Sequence, residues 1–581
     1  MRSFLAVAVA PTAPDELRRP VAAATACLAD NAEVSTHADG WIAYSGPDPG
    51  DVVPASGAVT MRLGRMLRTR GGDVSTSALP KLLDDSSRLV DLLPPFAAAH
   101  RPVDGPVTVA VDWLGFHQLY WWQGDGVAAV SSSARALAVL AGGGFDPVGL
   151  GVQALIGWQV SDTTVFRGVR TVPPATIATL DAGTISLRRY AEPPTRPSSP
   201  PTVDSAADEM AALLREWQTG YLVDHPDAML QLTGGHDSRI LLAAIPRDRR
   251  AGVGALTLGD PSSPDVVIAA RLAARDGLRH QVYRLDQQQP PTPEEAHTLA
   301  LVAARALECQ ASPLALAPLM LAEANLPQGH RLAGLGGEVA RGFYYAGQPG
   351  GASTSPALVE RLARWRLFSN EAVEAGVLAP SFVAEARTST LATLSGLFPA
   401  GDWLHATDDF YLFHRMHRWA GGHGTVAAVR RFYVNPMFDR RFVELALAVD
   451  PADKRDSLLL GRIMTRLDPE LARIPLDSGL RPSQLASRSF STRLAVTAQT
   501  GRKAVRKVGQ RLTRGRRAQL GAAEFGNLVL AHWRAEPKAA QPLYDVDLIR
   551  PDWLDGLLQG THDAQPTTLA FLLNVLAATD R

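Results

Sequence analysis

Cysteine is nearly missing from this chain of 581 residues, which holds only Cys27 and Cys309. Neither stands in a Cys-x-x-Cys pair or beside a Cys/His cluster. That excludes a disulfide framework and argues against a structural zinc site, and it fits a reducing, cytoplasmic setting. Net charge is missing as well: 58 Lys and Arg face 58 Asp and Glu. Nothing global points to nucleic acid or to an acidic partner. No apolar run approaches the roughly 18 residues that a membrane-spanning helix needs, so no membrane partner is expected. The start, MRSFLAVAVAPTAP, mimics a secretory leader, with Arg2 ahead of an apolar run. The run is short for that purpose, and a first strand is the reading adopted. Repeats of 20 to 50 residues are also lacking.

What is present is an ordinary globular composition, 46% hydrophobic and 20% charged. The length predicts two or three domains. A segment with five prolines, AEPPTRPSSPPTVDS (Ala191 to Ser205), reads as an extended, solvated connection. It divides the chain into a first domain at 1–192, a linker at 193–204 and a second domain at 205–581. Short β-branched and aromatic runs fill the first part (PVTVAVDWLG, LYWWQG, VAAVSSS). A short helix, SARALAVLAGGG, follows, and TIATLDAGTISLRRY reads as two strands about an Asp-Ala-Gly turn.

The pattern changes after the linker. An amphipathic helix, DSAADEMAALLREWQTGYL, is predicted with Asp204 or Ser205 as its N-cap. Strand AMLQL, a glycine loop and a helix from about Arg239 come next, then strand VGALTLG, helix PDVVIAARLAARDG and strand HQVYRL. Strands alternating with helices predict a parallel sheet, so the fold class is α/β. From about Pro291 the chain reads as mainly helical.

The glycine loop, LQLTGGHDSRILLAAI (Leu230 to Ile245), carries the chemistry. A loop between a parallel strand and the next helix lies where α/β proteins bind ligands. Gly234 and Gly235 let backbone approach an anion closely. The helix start offers free N–H groups and the positive dipole end, and Thr233 and Ser238 add hydroxyls. Asp237 would repel phosphate unless Mg²⁺ bridges them. The loop therefore reads as a phosphate and magnesium site. It is neither a Walker A loop nor a dinucleotide fingerprint; the plain alternative is a tight turn.

LTGGHDSR resembles the Ser-Gly-Gly-x-Asp-Ser pyrophosphate loop of the N-type ATP pyrophosphatases, in particular the asparagine synthetase family. That family includes β-lactam synthetase and the lasso-peptide macrolactam cyclases. Further segments agree in order: DWLGFHQLYW, VSSSARAL, TTVFRGVRTVPPAT, LRRY, LTLGD, LAGLGGEVARGFYY and NPMFDRRFVELAL. The resemblance spans most of residues 100 to 480. It implies a degenerate αββα glutaminase-like (Ntn) domain before a parallel-sheet ATP-pyrophosphatase domain with a helical extension. It also implies an ATP- and Mg²⁺-dependent ligase that adenylates a carboxylate, releases pyrophosphate and joins the acyl group to an amine. Asp237 and Glu338 would hold the metal. Leu232, Thr233, Gly234, Gly235, Asp237, Ser238, Leu258, Gly259, Gly336 and Gly337 would form the nucleotide site. Asp237, Glu338 and Arg473 would carry the chemistry.

Departures from the family pattern narrow this. The N-terminal nucleophilic cysteine is replaced in Met1-Arg2-Ser3-Phe4, and Cys27 is distant in sequence, so no ammonia would come from glutamine. The amine-activating position falls on Leu335, which cannot take a proton. The late lysine falls near Pro475, with Arg341 a candidate to supply the missing cation. His236, His117 and His423 read as side chains outside the chemistry. The resemblance favours a macrolactam cyclase acting on a precursor peptide beside a leader-peptide protease and a recognition protein. Alternatives are a small-molecule amide synthetase or amidotransferase, and a non-catalytic ATP- or peptide-binding protein. The run GRKAVRKVGQRLTRGRR (Gly501 to Arg517) holds eight Lys and Arg without an acid. It reads as a solvated surface segment, with a grip on acidic peptide or RNA as the alternative.

Overall fold

The computed structural model describes residues 3–579 apart from 14, 29–31, 47–51, 56–57, 285–288, 325, 327–328 and 490–520. The basic run 501–517 lies outside the described residues. Strands come first: β1 (Ser3–Val9), β2 (Glu33–His37), β3 (Gly40–Ser45), β4 (Val52–Ala55), β5 (Ala58–Arg62) and a small ribbon of β6 (Arg68–Thr69) and β7 (Gly72–Asp73). Then follow β8 (Ala97–Arg101), β9 (Val107–Val111), β10 (Tyr120–Gly124), β11 (Val127–Ser131), β12 (Arg170–Thr171), β13 (Thr176–Asp181) and β14 (Thr184–Arg189). They form two six-stranded antiparallel sheets, ordered β12-β10-β11-β1-β3-β2 and β14-β13-β9-β8-β5-β4.

The apolar start of the chain is β1, paired with β11 on one side and β3 on the other. Its side chains alternate between two cores. Phe4, Ala6 and Ala8 face the second sheet, packed with Met61, Val109 and Val111. Leu5, Val7 and Val9 face outward into a helical layer. On the far side of the second sheet, Leu79, Leu83 and Leu89 cover Ala98, Ala110 and Ile177. The result is a helix–sheet–sheet–helix stack. The predicted Asp-Ala-Gly hairpin joins β13 to β14, with Ala182 and Gly183 both at positive φ, as the twist of a tight hairpin requires. The fully buried Asp112, at the head of DWLG, accepts backbone N–H bonds from Phe96, Leu114, Phe116 and His117.

The Pro-rich segment has no regular structure but is not a free tether, because Arg196 binds Asp409 at 2.6 Å and the His405 carbonyl at 3.1 Å. The helix after it runs Val203–Asp224 and its N-cap is Thr202, whose hydroxyl accepts from Ser205 N. Asp204, expected as a cap, instead pairs with Arg462 and Arg466.

A parallel five-stranded sheet follows, from β15 (Met229–Gln231), β16 (Gly254–Leu258), β17 (Arg279–Tyr283), β18 (His330–Leu332) and β19 (Phe432–Val434), in the order β17-β16-β15-β18-β19. Strands β18 and β19 were not expected from sequence. Each has three residues, too few for a periodic signal. Helices 293–306, 313–324, 522–535 and 566–579 do not stay with this sheet: Ala300, Leu314, Phe525 and Phe571 share a core with Leu5, Val7 and Ala129 of the first sheet. No helix among the described residues is long and apolar enough to cross a membrane.

Candidate active site

In the parallel sheet the chain moves outward from β15 through β16 to β17 on one side. It returns to β18 and β19 on the other. The loops leaving β15 and β18 therefore diverge at a topological switch point, where parallel α/β sheets open a crevice. The glycine loop is one of these loops and Leu335–Glu338 is in the other.

The glycine loop is braced from within. Ser238 Oγ lies 3.0 Å from Thr233 Oγ1 and accepts from Thr233 N at 3.0 Å; Thr233 Oγ1 accepts from Gly235 N at 3.2 Å. Gly234 N donates to Asp265 Oδ1 at 2.9 Å. Helix His236–Ala244 begins right after Gly235, three residues before the Arg239 expected from the apolar run. No side chain caps it, so its first N–H groups stay available at the crevice.

The second loop presses onto that helix start. A Cβ on Gly334 would sit 2.8 Å from Asp237 C and Ser238 N, and one on Gly337 would sit 2.3 Å from Asp237 Oδ1. Glycine alone permits this approach. Gly336, at φ 103°, turns the chain against Phe438. Glu338 follows, held on one oxygen by the Tyr411 hydroxyl at 3.0 Å and on the other by Arg341 at 3.2 Å. Asp237 Oδ1 is shut from solvent with no hydrogen-bond partner. Burial, then the nearby Glu338 carboxylate, hold Asp237 well above the usual carboxylate range, against the pull of Arg341.

A cavity of about 530 Å³ opens here, lined by Thr233, Gly235, His236, Asp237, Ser238, Leu335 and Arg341. Its far wall carries Tyr433, Asp456, Ser457, Asp477 and Ser478, none of which sequence reasoning singled out. Asp456 and Ser457 sit at φ 59° and 65°, left-handed positions uncommon outside glycine, which Asp adopts more readily than Ser. The DSG turn around Asp477 carried the available signal. Asp477 N donates to the Gly234 carbonyl at 3.1 Å.

The other expected residues fall elsewhere. Arg473 is exposed and absent from the cavity lining. The arginine that reaches this turn is the buried Arg239, which donates to the Ile474 and Pro475 carbonyls at 2.5 and 2.9 Å. Leu232 is fully buried in the core, its carbonyl bonded by Thr257. Leu258 ends the neighbouring strand β16 and Gly259 follows it, both outside the lining; Gly234, Gly336, Gly337 and Glu338 are outside it as well. The three histidines set aside in the sequence all line cavities. His236 is in this one, where burial with Arg341 and Arg239 pushes its ring down to about 3. His117 and Cys27 line another, of about 490 Å³, with Ser3 at the start of β1. Cys27 is thus near the first strand in space though not in sequence. His423 lines a third cavity.

The residues present suit one divalent cation. They offer two carboxylates, one with a buried oxygen lacking any partner. Among the described residues no group of three or more His, Cys, Asp or Glu assembles. The remaining ligands would come from phosphate oxygens and water, the usual coordination of Mg²⁺ at a nucleotide.

No family model matches the chain, and no curated protein does. Among solved structures it is similar to "Structure of the allosteric regulatory enzyme of purine biosynthesis", with 12% identity over 51% of this chain and 69% of that one at a TM-score of 0.23. It is also similar to a glutamine phosphoribosylpyrophosphate amidotransferase from B. subtilis complexed with ADP and GMP, with 10% identity over 57% of this chain and 81% of that one at a TM-score of 0.21.

Proposed function

We propose that the protein is an ATP-dependent carbon–nitrogen ligase that releases AMP and pyrophosphate. The observation that carries this reading is the meeting of the braced glycine loop, Asp237 and Arg341 around one cavity at the switch point of the parallel sheet, with Glu338 bonded to Arg341 just behind the cavity wall.

In the first step a substrate carboxylate oxygen attacks the α-phosphorus of ATP, and the bond to the β-phosphate oxygen breaks. The uncapped start of helix His236–Ala244 and the hydroxyls of Thr233 and Ser238 donate to the phosphates. Asp237 and Glu338 would hold Mg²⁺, which when bound neutralises charge on the pyrophosphate as it leaves. Tyr411 and Arg341 fix the Glu338 carboxylate. Arg341 lines the cavity and supplies the cation that Pro475 cannot. In the second step an amine attacks the acyl-adenylate and AMP leaves.

A macrolactam cyclase of lasso-peptide type is the specific form proposed, its acid an Asp or Glu side chain of a precursor peptide. It would work beside a leader-peptide protease and a recognition protein. A small-molecule amide synthetase is the second reading, favoured by the modest apolar cavity next to Leu335. The test is nucleotide product analysis with Mg-ATP and a panel of acids and precursor peptides, with Asp237→Ala as control. AMP and pyrophosphate that depend on one acid and vanish in the variant establish the ligase. No AMP with any acid, despite ATP binding, replaces it with a non-catalytic nucleotide-binding protein.

A further inference from the structure

The nucleotide cavity does not end at Leu335. A second cavity of about 310 Å³ shares Gln231, Leu335 and Tyr433 with it. Leu316, Leu319, Met320 and Trp419 give it an apolar wall, and His423 stands among them. The helical run that carries His423 is unusual. Trp403–Phe410 is α-helical, Tyr411–Ala420 is wound as a π-helix, and Gly421–Arg430 is α-helical again. π-Wound turns are rare and concentrate at functional sites. One end of this run holds Glu338 through Tyr411, and the other presents His423.

The sequence around it, AGGHGT, is explained by packing. A Cβ on Gly421 would lie 3.0 Å from the Phe116 carbonyl, and one on Gly424 would enter the Phe116 ring. The helix is thereby seated on the first part of the chain and His423 has a fixed place. Its Nδ1 lies 3.0 Å from the Trp419 carbonyl. A carbonyl only accepts, so Nδ1 carries the proton and Nε2 keeps its lone pair. Nε2 makes no hydrogen bond to any described residue.

We infer that this apolar cavity seats an amine with an apolar body, and that His423 Nε2 takes the proton this amine loses. The inference rests on the ligase reading above. It also gives the role that Leu335 cannot fill to a group lining the same cavity. The amine lone pair attacks the acyl carbon, the C–N bond forms, and the C–O bond to the phosphate breaks. AMP leaves with that electron pair. The nitrogen's proton passes to Nε2 and then to water. Arg430 and Arg431 line the cavity too, with Arg431 paired to Glu323 at 2.9 Å. Glu323 lines the cavity as well and offsets Arg431, which leaves Arg430 to disfavour an ammonium ion and favour the uncharged nucleophile. Burial holds the His423 ring below its ordinary value, so it is neutral and able to accept.

The probe is aniline, a primary amine that is uncharged at neutral pH, followed by saturation-transfer NMR on the full chain. Saturable binding is expected. It should weaken by about fivefold in His423→Gln, the worth of one hydrogen bond, and by at least about tenfold in the cavity-filling Ala427→Phe. Leu319→Phe fills from the opposite helix, and unchanged melting certifies each variant. No saturable binding, or binding indifferent to all three substitutions, overturns the inference. With an acid that supports turnover, His423→Gln should lower amide product about 100-fold relative to ATP–pyrophosphate exchange. An unchanged ratio also overturns it. Exchange absent from the wild-type protein with every acid refutes the ligase reading instead, and the aniline result then decides the cavity alone.

Discussion

Gly337 packs so tightly on Asp237 that a Cβ there would sit 2.3 Å from the carboxylate oxygen Oδ1. The sequence pair Gly336-Gly337 thus serves the carboxylate of the first loop as well as the turn of its own. Gly337→Ala should displace Asp237 and lower acid-dependent AMP formation by about 100-fold or more, because small misplacements of reacting groups are that costly. Unaltered rates in a folded variant would show that Asp237 is not in the chemistry.

Asp237 is retained at a cost in stability. A carboxyl whose folded pKa is raised binds its proton more tightly in the folded protein. Its contribution is therefore full below the ordinary value of 3.8 and is lost as pH rises through the raised one. Asp237→Asn should raise the metal-free melting temperature at pH 8 and abolish AMP formation, by about 10³-fold. Calorimetry beside product analysis checks both; a lowered melting temperature would refute the repulsion between Asp237 and Glu338.

Arg341 bonds Glu338 and faces the cavity. Arg341→Gln should cut AMP formation by about 100-fold, and Arg341→Lys should restore part of it, since a point charge replaces the guanidinium imperfectly. Initial rates of pyrophosphate release measure this. Equal activity of the two variants would mean that the charge is irrelevant.

Arg239 is fully buried and ties the turn at Ile474 and Pro475 to the glycine loop. Arg239→Met leaves two carbonyls unbonded and should destabilise the protein by about 2–3 kcal/mol. Denaturant unfolding reads it, and ATP binding should weaken in parallel as the turn loosens. Arg473→Met, at an exposed position, should change neither.

Glu308 accepts from Ser133 Oγ at 3.1 Å and Arg135 N at 3.2 Å, and burial pushes its carboxyl up to about 7. The sign is that of Asp237: stability is full below 4.5 and declines as pH rises toward 7. Glu308→Gln keeps an acceptor and carries no charge. Its melting temperature should fall less than the wild type's between pH 5 and 8, and parallel curves would refute this.

The sequence by itself determined a good deal. Local pattern gave β1, the β13–β14 hairpin, and the β15–loop–helix unit with its Thr233, Gly234, Gly235, Asp237 and Ser238, because periodicity and turn chemistry act over a few residues. The proposal of a phosphate and magnesium site was drawn from that loop on the same local grounds: glycines, hydroxyls and a carboxylate at a strand end. What only the tertiary structure decided depends on contacts between distant segments. Three-residue strands β18 and β19 exist because neighbours supply their pairing. Arg239, rather than Arg473, reaches the Pro475 turn because it projects from beneath the glycine loop while Arg473 faces solvent. His423 lines the same cavity as Leu335, a juxtaposition no spacing along the chain encodes, because a helix seated by its glycines on Phe116 carries it there.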